Sequence, residues 1–386
     1  MSRSRHIAVV IDLNWPFKRH YEIFAGIRDF AEEQGDWTID LGNFPQHEPL
    51  VGKRYDGMVG RIGRDCFEAA QNAGIPVVNT WIDSPVSAIM PGVQLDSSAA
   101  GRMAAEHLIV RGFRRLAHFG YRNSPDSKRH YGGMCEVARE HGYPCTRHST
   151  YPSFGDTADR WAHFVANVKR VQDGWEAPQG VAFSNDELGH AVAAICRSEG
   201  WKIPEELALV GCCNELPICN AANPALSSIE MNAWKCGYEA ARLLNALMQG
   251  KKPPLRHLLI PPKELVVRGS SDIHAVSDPR VARALSYMVG QSSKKLSVQD
   301  IARIAGVGRQ TLERGFQTHL GRTINEELIR LRISKLKRLL VESEESIKEL
   351  STKVGFGTTA NMFPMFKRHT GMTPKEYREK HGSAPG

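Results

Sequence analysis

A rhythm in the first 270 residues constrains this chain most: short apolar runs alternate with stretches of helical periodicity. His6-Ile-Ala-Val-Val-Ile11 is apolar on both sides of any strand it forms, the pattern of a strand buried between two layers. Ile23, Ile27 and Phe30 follow at the spacing of one helix face. Further strands are read at 37–41, 57–60 and 75–78, with a helix over 66–73. This alternation predicts a parallel sheet covered by helices on both faces. The pattern restarts at Leu116-Ala-His-Phe119, with helices over 131–141, 160–171 and 188–199 and strands at 180–183 and 207–210. Two doubly wound halves in tandem predict two lobes. A ligand would sit between them, beyond the C-terminal ends of the strands.

Length and composition agree with more than one soluble domain. At roughly 150 residues per domain, the 386 residues should form two or three. The apolar share is 41% and the mean hydropathy −0.35, and no run approaches the roughly 20 apolar residues of a membrane span. The basic start Met1–His6 leads into a run broken by Asp12, a strand rather than a secretory signal. A cytoplasmic protein without a membrane partner is expected. The eight cysteines are scattered apart from adjacent Cys212 and Cys213, so free thiols are expected. His141, Cys145, His148 and Cys135 lack the paired spacing of a metal site, and neither metal nor cofactor is expected.

Charge separates the end of the chain from the rest. Asp278–Gly386 holds 20 of the 50 Lys and Arg but 11 of the 42 Asp and Glu, a net of +9, against 30 and 31 before it, a net of −1. A basic terminal domain on a neutral body points to a polyanion. The segment 270–277 is small and polar, a linker by composition. Asp278-Pro279 then reads as N-cap and first helical residue, with Val281, Leu285 and Met288 on one face.

A weak internal repeat follows. Ser297–Gly306 matches Ser346–Gly355 at an offset of 49, and Phe316, Gly321 and Thr323 match Phe366, Gly371 and Thr373 at an offset of 50. Both copies open with a capping box, Ser297 with Asp300 and Ser346 with Glu349. Each first helix reaches a Gly able to take the positive φ of a tight turn, and a second helix follows. This is the logic of two helix-turn-helix units, about 297–320 and 346–370, whose second helices enter the major groove. A helix over 324–341, with Ile329, Ile333, Leu336 and Leu340 on its apolar stripe, would hold them about one helical turn of DNA apart, roughly 34 Å.

Base contacts are expected from Arg309, Gln310, Glu313 and Arg314 in the first unit and from Thr358, Thr359, Asn361 and Met362 in the second. Lys367 and Arg368 are expected on phosphates. Pro364 falls inside the second recognition helix and should kink it, leaving that unit mainly a backbone clamp. No G-x-S-x-G, P-loop, H-E-x-x-H or acid–base carboxylate pair is present, and no catalytic residue is expected.

Several segments are familiar. Val93-Gln-Leu-Asp96, Gly101–Leu108, Gly112–Gly120, Phe183-Ser-Asn-Asp186, Gly200–Gly211, Pro224–Ile229 and Gly237–Leu244 together resemble the effector domain of LacI/GalR-type repressors. That resemblance covers about 5–269 and implies the fold of periplasmic sugar-binding proteins. It implies lobe one from about 5–115 and 228–255, and lobe two from about 116–227 and 256–269. Val354-Gly-Phe-Gly357 with Met365–Arg378 resembles the AraC family of regulators over about 280–380, and implies a DNA-binding domain over 278–386.

The resemblance also implies ligand residues at strand-end loops. Arg129 would fork onto sugar hydroxyls and Asp186 would accept hydroxyl donors. Asn14, Trp15 and Phe17 would anchor and wall a ring, Arg61 and Trp81 end later strands, and Asn214 stands where relatives carry an acid. Asp96 is a further contact, with helix capping as its stronger role. Cys212-Cys213-Asn214 departs from the family's Gly-x-Asp-Asp. The expected function is a regulator of transcription, an activator, working as a homodimer on double-stranded DNA and engaging RNA polymerase. Its effector would be D-xylose or a related sugar. The alternative is the same architecture sensing another ligand or none.

Overall fold

The computed structural model describes residues 4–14, 17–42, 55–152, 155–272, 278–291, 296–343 and 345–381. Trp15 and residues 273–277 of the expected linker lie outside them. Lobe one opens with β1 (Arg5–Val10), α1 (Lys18–Gln34), β2 (Trp37–Gly42), β3 (Gly57–Gly60), α2 (Arg64–Ala73), β4 (Val77–Asn79) and β5 (Val93–Leu95). The order β2-β1-β3-β4 is parallel throughout. Ile7, Ala8 and Val9 of the central β1 are wholly buried, because helices cover both faces of the sheet.

The chain then crosses to lobe two with α3 (Ser97–Val110), β6 (Arg115–Tyr121), α4 (Pro125–Glu140), β7 (Cys145–Thr150), α5 (Ala158–Gln172), β8 (Gln179–Phe183), α6 (Asp186–Ser198), β9 (Leu207–Cys212), α7 (Leu216–Ala221) and β10 (Ser227–Glu230). It returns to lobe one as α8 (Ala233–Met248), packed on α1, and β11 (Leu258–Ile260), paired with β5. Finally β12 (Glu264–Val266) joins lobe two antiparallel to β10, completing the order β12-β10-β9-β8-β6-β7.

The lobe boundaries therefore differ from those expected. α3 belongs to lobe two, where Ala100, Ala104, Ala105 and Leu108 pack with Met134 of α4 and Ala208 of β9. β10 also belongs to lobe two and β11 to lobe one. Periodicity marks an apolar face without saying which sheet it covers. Glycines set the closest helix crossings. A Cβ on Gly101 would collide with the His130 carbonyl oxygen, and one on Gly237 with that of Ile23. Ser270 and Ser271, expected in the linker, are buried in lobe two, where Ser270 Oγ accepts from Ser227 N–H at 2.9 Å.

The C-terminal head is helical: α9 (Pro279–Gln291), α10 (Val298–Ala305), α11 (Arg309–Leu320), α12 (Ile324–Glu342), α13 (Ile347–Lys353), α14 (Thr359–Thr370) and α15 (Pro374–His381). It has two cores, one around Leu312 and Phe316, the other around Met362 and Phe366. Phe316 and Phe366, matched by the repeat, are both fully buried. Gly321 and Gly371 end the second helices at φ 67° and 73°, the left-handed cap that a Cβ disfavours. Ser346 makes the full capping box with Glu349. Thr323 makes another with Glu326 at the start of α12.

Candidate functional site

At the mouth between the lobes, loops after the C-terminal strand ends line a cavity. Lobe one supplies Arg19 from α1, Arg61 after β3 and Thr80–Asp83 after β4. Lobe two supplies Ser97, Asp126, His130, Ser184 and the Cys212-Cys213 pair. Ile11, His20, Ile23, Leu95 and Met231 complete the walls. Polar groups of both charges over an apolar floor suit a small molecule rich in hydroxyl groups and C–H faces.

Two arginines dominate its electrostatics. The Arg61 guanidinium lies 4.0 Å from the centre of the Trp81 ring. Burial, with Arg19 adding like-charge repulsion, lowers Arg61 to about 10, still charged at neutral pH. Arg19 makes no hydrogen bond or ion pair among the described residues, and its guanidinium is 5.7 Å from the Phe17 ring. Its donors face the cavity that Asp83 and Asp126 also line. His130 is 2% exposed, with both ring nitrogens unpartnered, and burial lowers it to about 4, so its imidazole is neutral. Behind it His118 is in the same condition, with the ring centres 5.0 Å apart.

The lobes are tied across this cavity. Asp83 of lobe one accepts from Ser124 Oγ at 3.0 Å and from the Asp126 N–H at 2.9 Å, both at the start of α4. On the other side Glu215 of lobe two accepts the Lys18 N–H at 3.0 Å, capping α1 of lobe one. Lys18 Nζ reaches Glu230 at 2.7 Å. A carboxylate supplied by the opposite lobe satisfies α1's exposed amide and its dipole together.

Of the expected ligand residues, Arg61 and Trp81 line the cavity. Arg129 does not: it is exposed and donates to Gln94 Oε1 at 3.1 Å. Successive helical residues are about 100° apart, and Gly133, pressed against Ser98, turns His130 rather than Arg129 inward. Asp186 is wholly buried beneath the cavity, accepting from Ser228 Oγ at 2.5 Å and the Glu215 N–H at 2.7 Å. Burial raises its carboxyl to about 7 against those hydrogen bonds. Asn214 is a brace, donating to Glu230 at 2.6 Å and accepting from Arg268 at 2.6 Å. Asp96 caps α3 through the Ala99 N–H at 2.9 Å. Asn14 is exposed in a turn, and Phe17 precedes α1 outside the lining. Sequence reasoning missed Arg19, Asp83, Asp126 and His130. The i, i+4 pair Asp126 and His130, after the N-cap Ser124, was the available signal.

In the head, Arg309, Gln310 and Arg314 are exposed on α11, and Glu313 accepts from Arg309 Nε at 2.8 Å. On α14 Asn361, Lys367 and Arg368 are exposed, Thr359 is half-buried, and Thr358 is the N-cap. Met362 is a correction: it is wholly buried in the second core and has no surface to offer a base. α14 continues through exposed Pro364. The head meets lobe two where Val110 packs against the first head core. Arg114 donates to the His319 carbonyl at 2.9 Å, and Lys337 pairs with Glu140 at 3.6 Å. Among the described residues no helix is long and apolar enough to cross a membrane.

Two family models match the chain: a periplasmic binding protein-like domain over residues 105–271 and a helix-turn-helix domain over 301–380. The chain is 26% identical to the xylose operon regulatory protein of Escherichia coli (strain K12), over 98% of each chain. It is 27% identical to the protein of that name from Haemophilus influenzae, over 96% of this chain and 97% of that one. The solved structure of a xylose-binding transcription activator matches with a TM-score of 0.62 at 22% identity, covering 99% of each chain.

Proposed function

We propose that D-xylose, or a sugar close to it, is the effector of this chain, which joins a periplasmic-binding-protein-like sensor to an AraC-type helix-turn-helix head and is homologous along its length to xylose operon regulators. It is a sugar-responsive, DNA-binding regulator of transcription. The observation that carries this reading is the cavity walled by both lobes. A sugar seated there touches Arg19, Arg61 and Asp83 from one side and Asp126 and His130 from the other, and so favours the closed pair of lobes. A ligand shifts that equilibrium only by its differential affinity for the closed state, and a site shared by two lobes supplies the difference. Closure then moves lobe two, and with it the head docked at Val110, Arg114 and Glu140.

The same reading makes the protein a cytoplasmic activator that binds operator DNA as a homodimer, contacts RNA polymerase and catalyses no reaction. A different sugar is the second reading, favoured by the thiols of Cys212 and Cys213, weak hydrogen-bonding groups at the cavity wall.

Calorimetric titration with D-xylose, other pentoses and hexoses tests the sensor. D-xylose is expected to bind, and Arg61→Ala to weaken it at least about tenfold, the worth of one charge-assisted hydrogen bond. Tight binding of a different sugar, lost in Arg61→Ala, would keep the cavity and replace the effector. Binding of D-xylose undiminished in both Arg61→Ala and Arg19→Ala would sink the assignment of the cavity.

A further inference from the structure

The strand β9 ends at Cys212 and Cys213 follows it, and alternation continued past the strand end would send the two side chains to opposite faces. Here the backbone breaks that rule. Cys213 has φ 94° and Asn214 φ 49°, a left-handed pair without a glycine. L-residues adopt such angles at a cost, and they cluster where a site needs them. The consequence is that two residues adjacent in the chain both line the interlobe cavity. The Arg19 guanidinium lines the same cavity. The same turn continues into Glu215, whose carboxylate caps α1 of the opposite lobe.

We propose that Cys212 and Cys213 form a thiol switch in the effector cavity, closed to a vicinal disulfide by hydrogen peroxide and reopened by thiols. The sulfur of Cys213 attacks one peroxide oxygen, and the O–O bond breaks. The products are a sulfenic acid and, after proton transfer, one water. The sulfur of Cys212 then displaces the sulfenic hydroxyl, which leaves with the Cys212 proton as a second water. Two thiols have lost two protons and two electrons, and one peroxide has become two waters. Arg19 in the same cavity favours negative charge arriving on sulfur during the attack. Cys212 suits the resolving role, since its neighbour's sulfur and its burial keep that thiol protonated.

The geometry also predicts reversibility. Cα atoms joined by one trans peptide are 3.8 Å apart, below the 4.4–6.8 Å usual for a disulfide. A bridge here is therefore strained, and strained disulfides are the readily reduced, regulatory ones. Closing the ring reshapes the turn and draws Glu215 away from the Lys18 N–H. Oxidation thus weakens the tie between the lobes, and with it the response to effector. This consequence rests on the reading of the cavity as the effector site, whereas the disulfide itself does not.

The test uses the full chain. Reduced protein is treated with hydrogen peroxide, blocked with iodoacetamide and digested, and the peptide holding Cys212 and Cys213 is weighed. The expected result is a loss of two hydrogens with neither residue alkylated, restored by dithiothreitol and absent in Cys213→Ser. Oxidation elsewhere, with both residues still alkylated after unfolding, overturns the switch. Calorimetry with D-xylose is the second measurement. Oxidised protein should bind about fivefold more weakly than reduced protein, the equivalent of losing one helix cap. Disulfide formed with affinity unchanged would remove the coupling to effector. If reduced protein binds no D-xylose, only the effector reading fails, because the mass change is read without sugar.

Discussion

Asp186 shows how a residue can sit near a site and act through it. Its two oxygens take the Ser228 hydroxyl and the Glu215 N–H, and the turn from Cys212 to Glu215 hangs on them. Replacing Asp186 by Ala leaves those donors buried and unmet, at a cost of about 1–3 kcal/mol in stability. Denaturant unfolding measures it. The pH trend has a definite sign. Burial raises the folded carboxyl from the ordinary aspartate value of 3.8 to about 7, so the folded state holds this proton more tightly than the unfolded chain. Stability from that proton is complete below about 4 and lost as pH rises through about 7. The stability of the native protein relative to Asp186→Asn, which cannot titrate there, should therefore fall between pH 4 and 7 and then level off. A constant difference across that range would show that Asp186 is ionised throughout.

Among the elements, the helix crossings carry the sharpest expectations. α1 and α8 meet at Gly237, whose added Cβ would overlap backbone rather than a movable side chain. Gly237→Ala should cost about 1–3 kcal/mol through the forced separation of the helices, read as a lower midpoint of the sensor's unfolding. In the head, α14 divides its roles by face. Met362→Ala removes a fully buried side chain and should cost about 2–5 kcal/mol of stability. Asn361→Ala, on the exposed face, should leave stability unchanged and weaken operator binding, checked by fluorescence anisotropy. The helical period and the Gly-ended repeat made α14 readable as the second helix of its unit. Which of Thr359, Asn361 and Met362 faced inward was not, because the phase of a helix is set by the neighbour it packs on.

For the whole molecule, the joint between lobe two and the head is the route by which a sensor can move DNA-reading helices. Val110 lies against the first head core and Lys337 against Glu140. Val110→Asp should loosen that joint. The change in operator affinity on adding D-xylose would shrink while the sensor's own affinity for D-xylose stayed as it was. An undiminished change would place the route elsewhere. The head's net positive charge predicts operator binding that falls with salt, with a slope of about −0.9 per phosphate neutralised in log affinity against log salt. A slope near zero would contradict phosphate contacts.

The order of elements was determined locally. Apolar runs of strand length, helical periodicity, caps and the repeated Phe and Gly positions each depend on a few neighbours in the chain, so the two-lobed sheet and the double helix-turn-helix were legible from residues alone. The same locality gave Arg61 and Trp81 at strand ends. Only the tertiary structure decided what those elements face. It assigned α3 and β10 to lobe two, turned His130 inward in place of Arg129, buried Asp186 and Met362, and brought Arg19 and both thiols into one cavity. Which side of a helix is inward, and which sheet a crossing segment joins, are settled by packing between residues far apart in sequence. A periodic pattern carries an apolar face but no address for it.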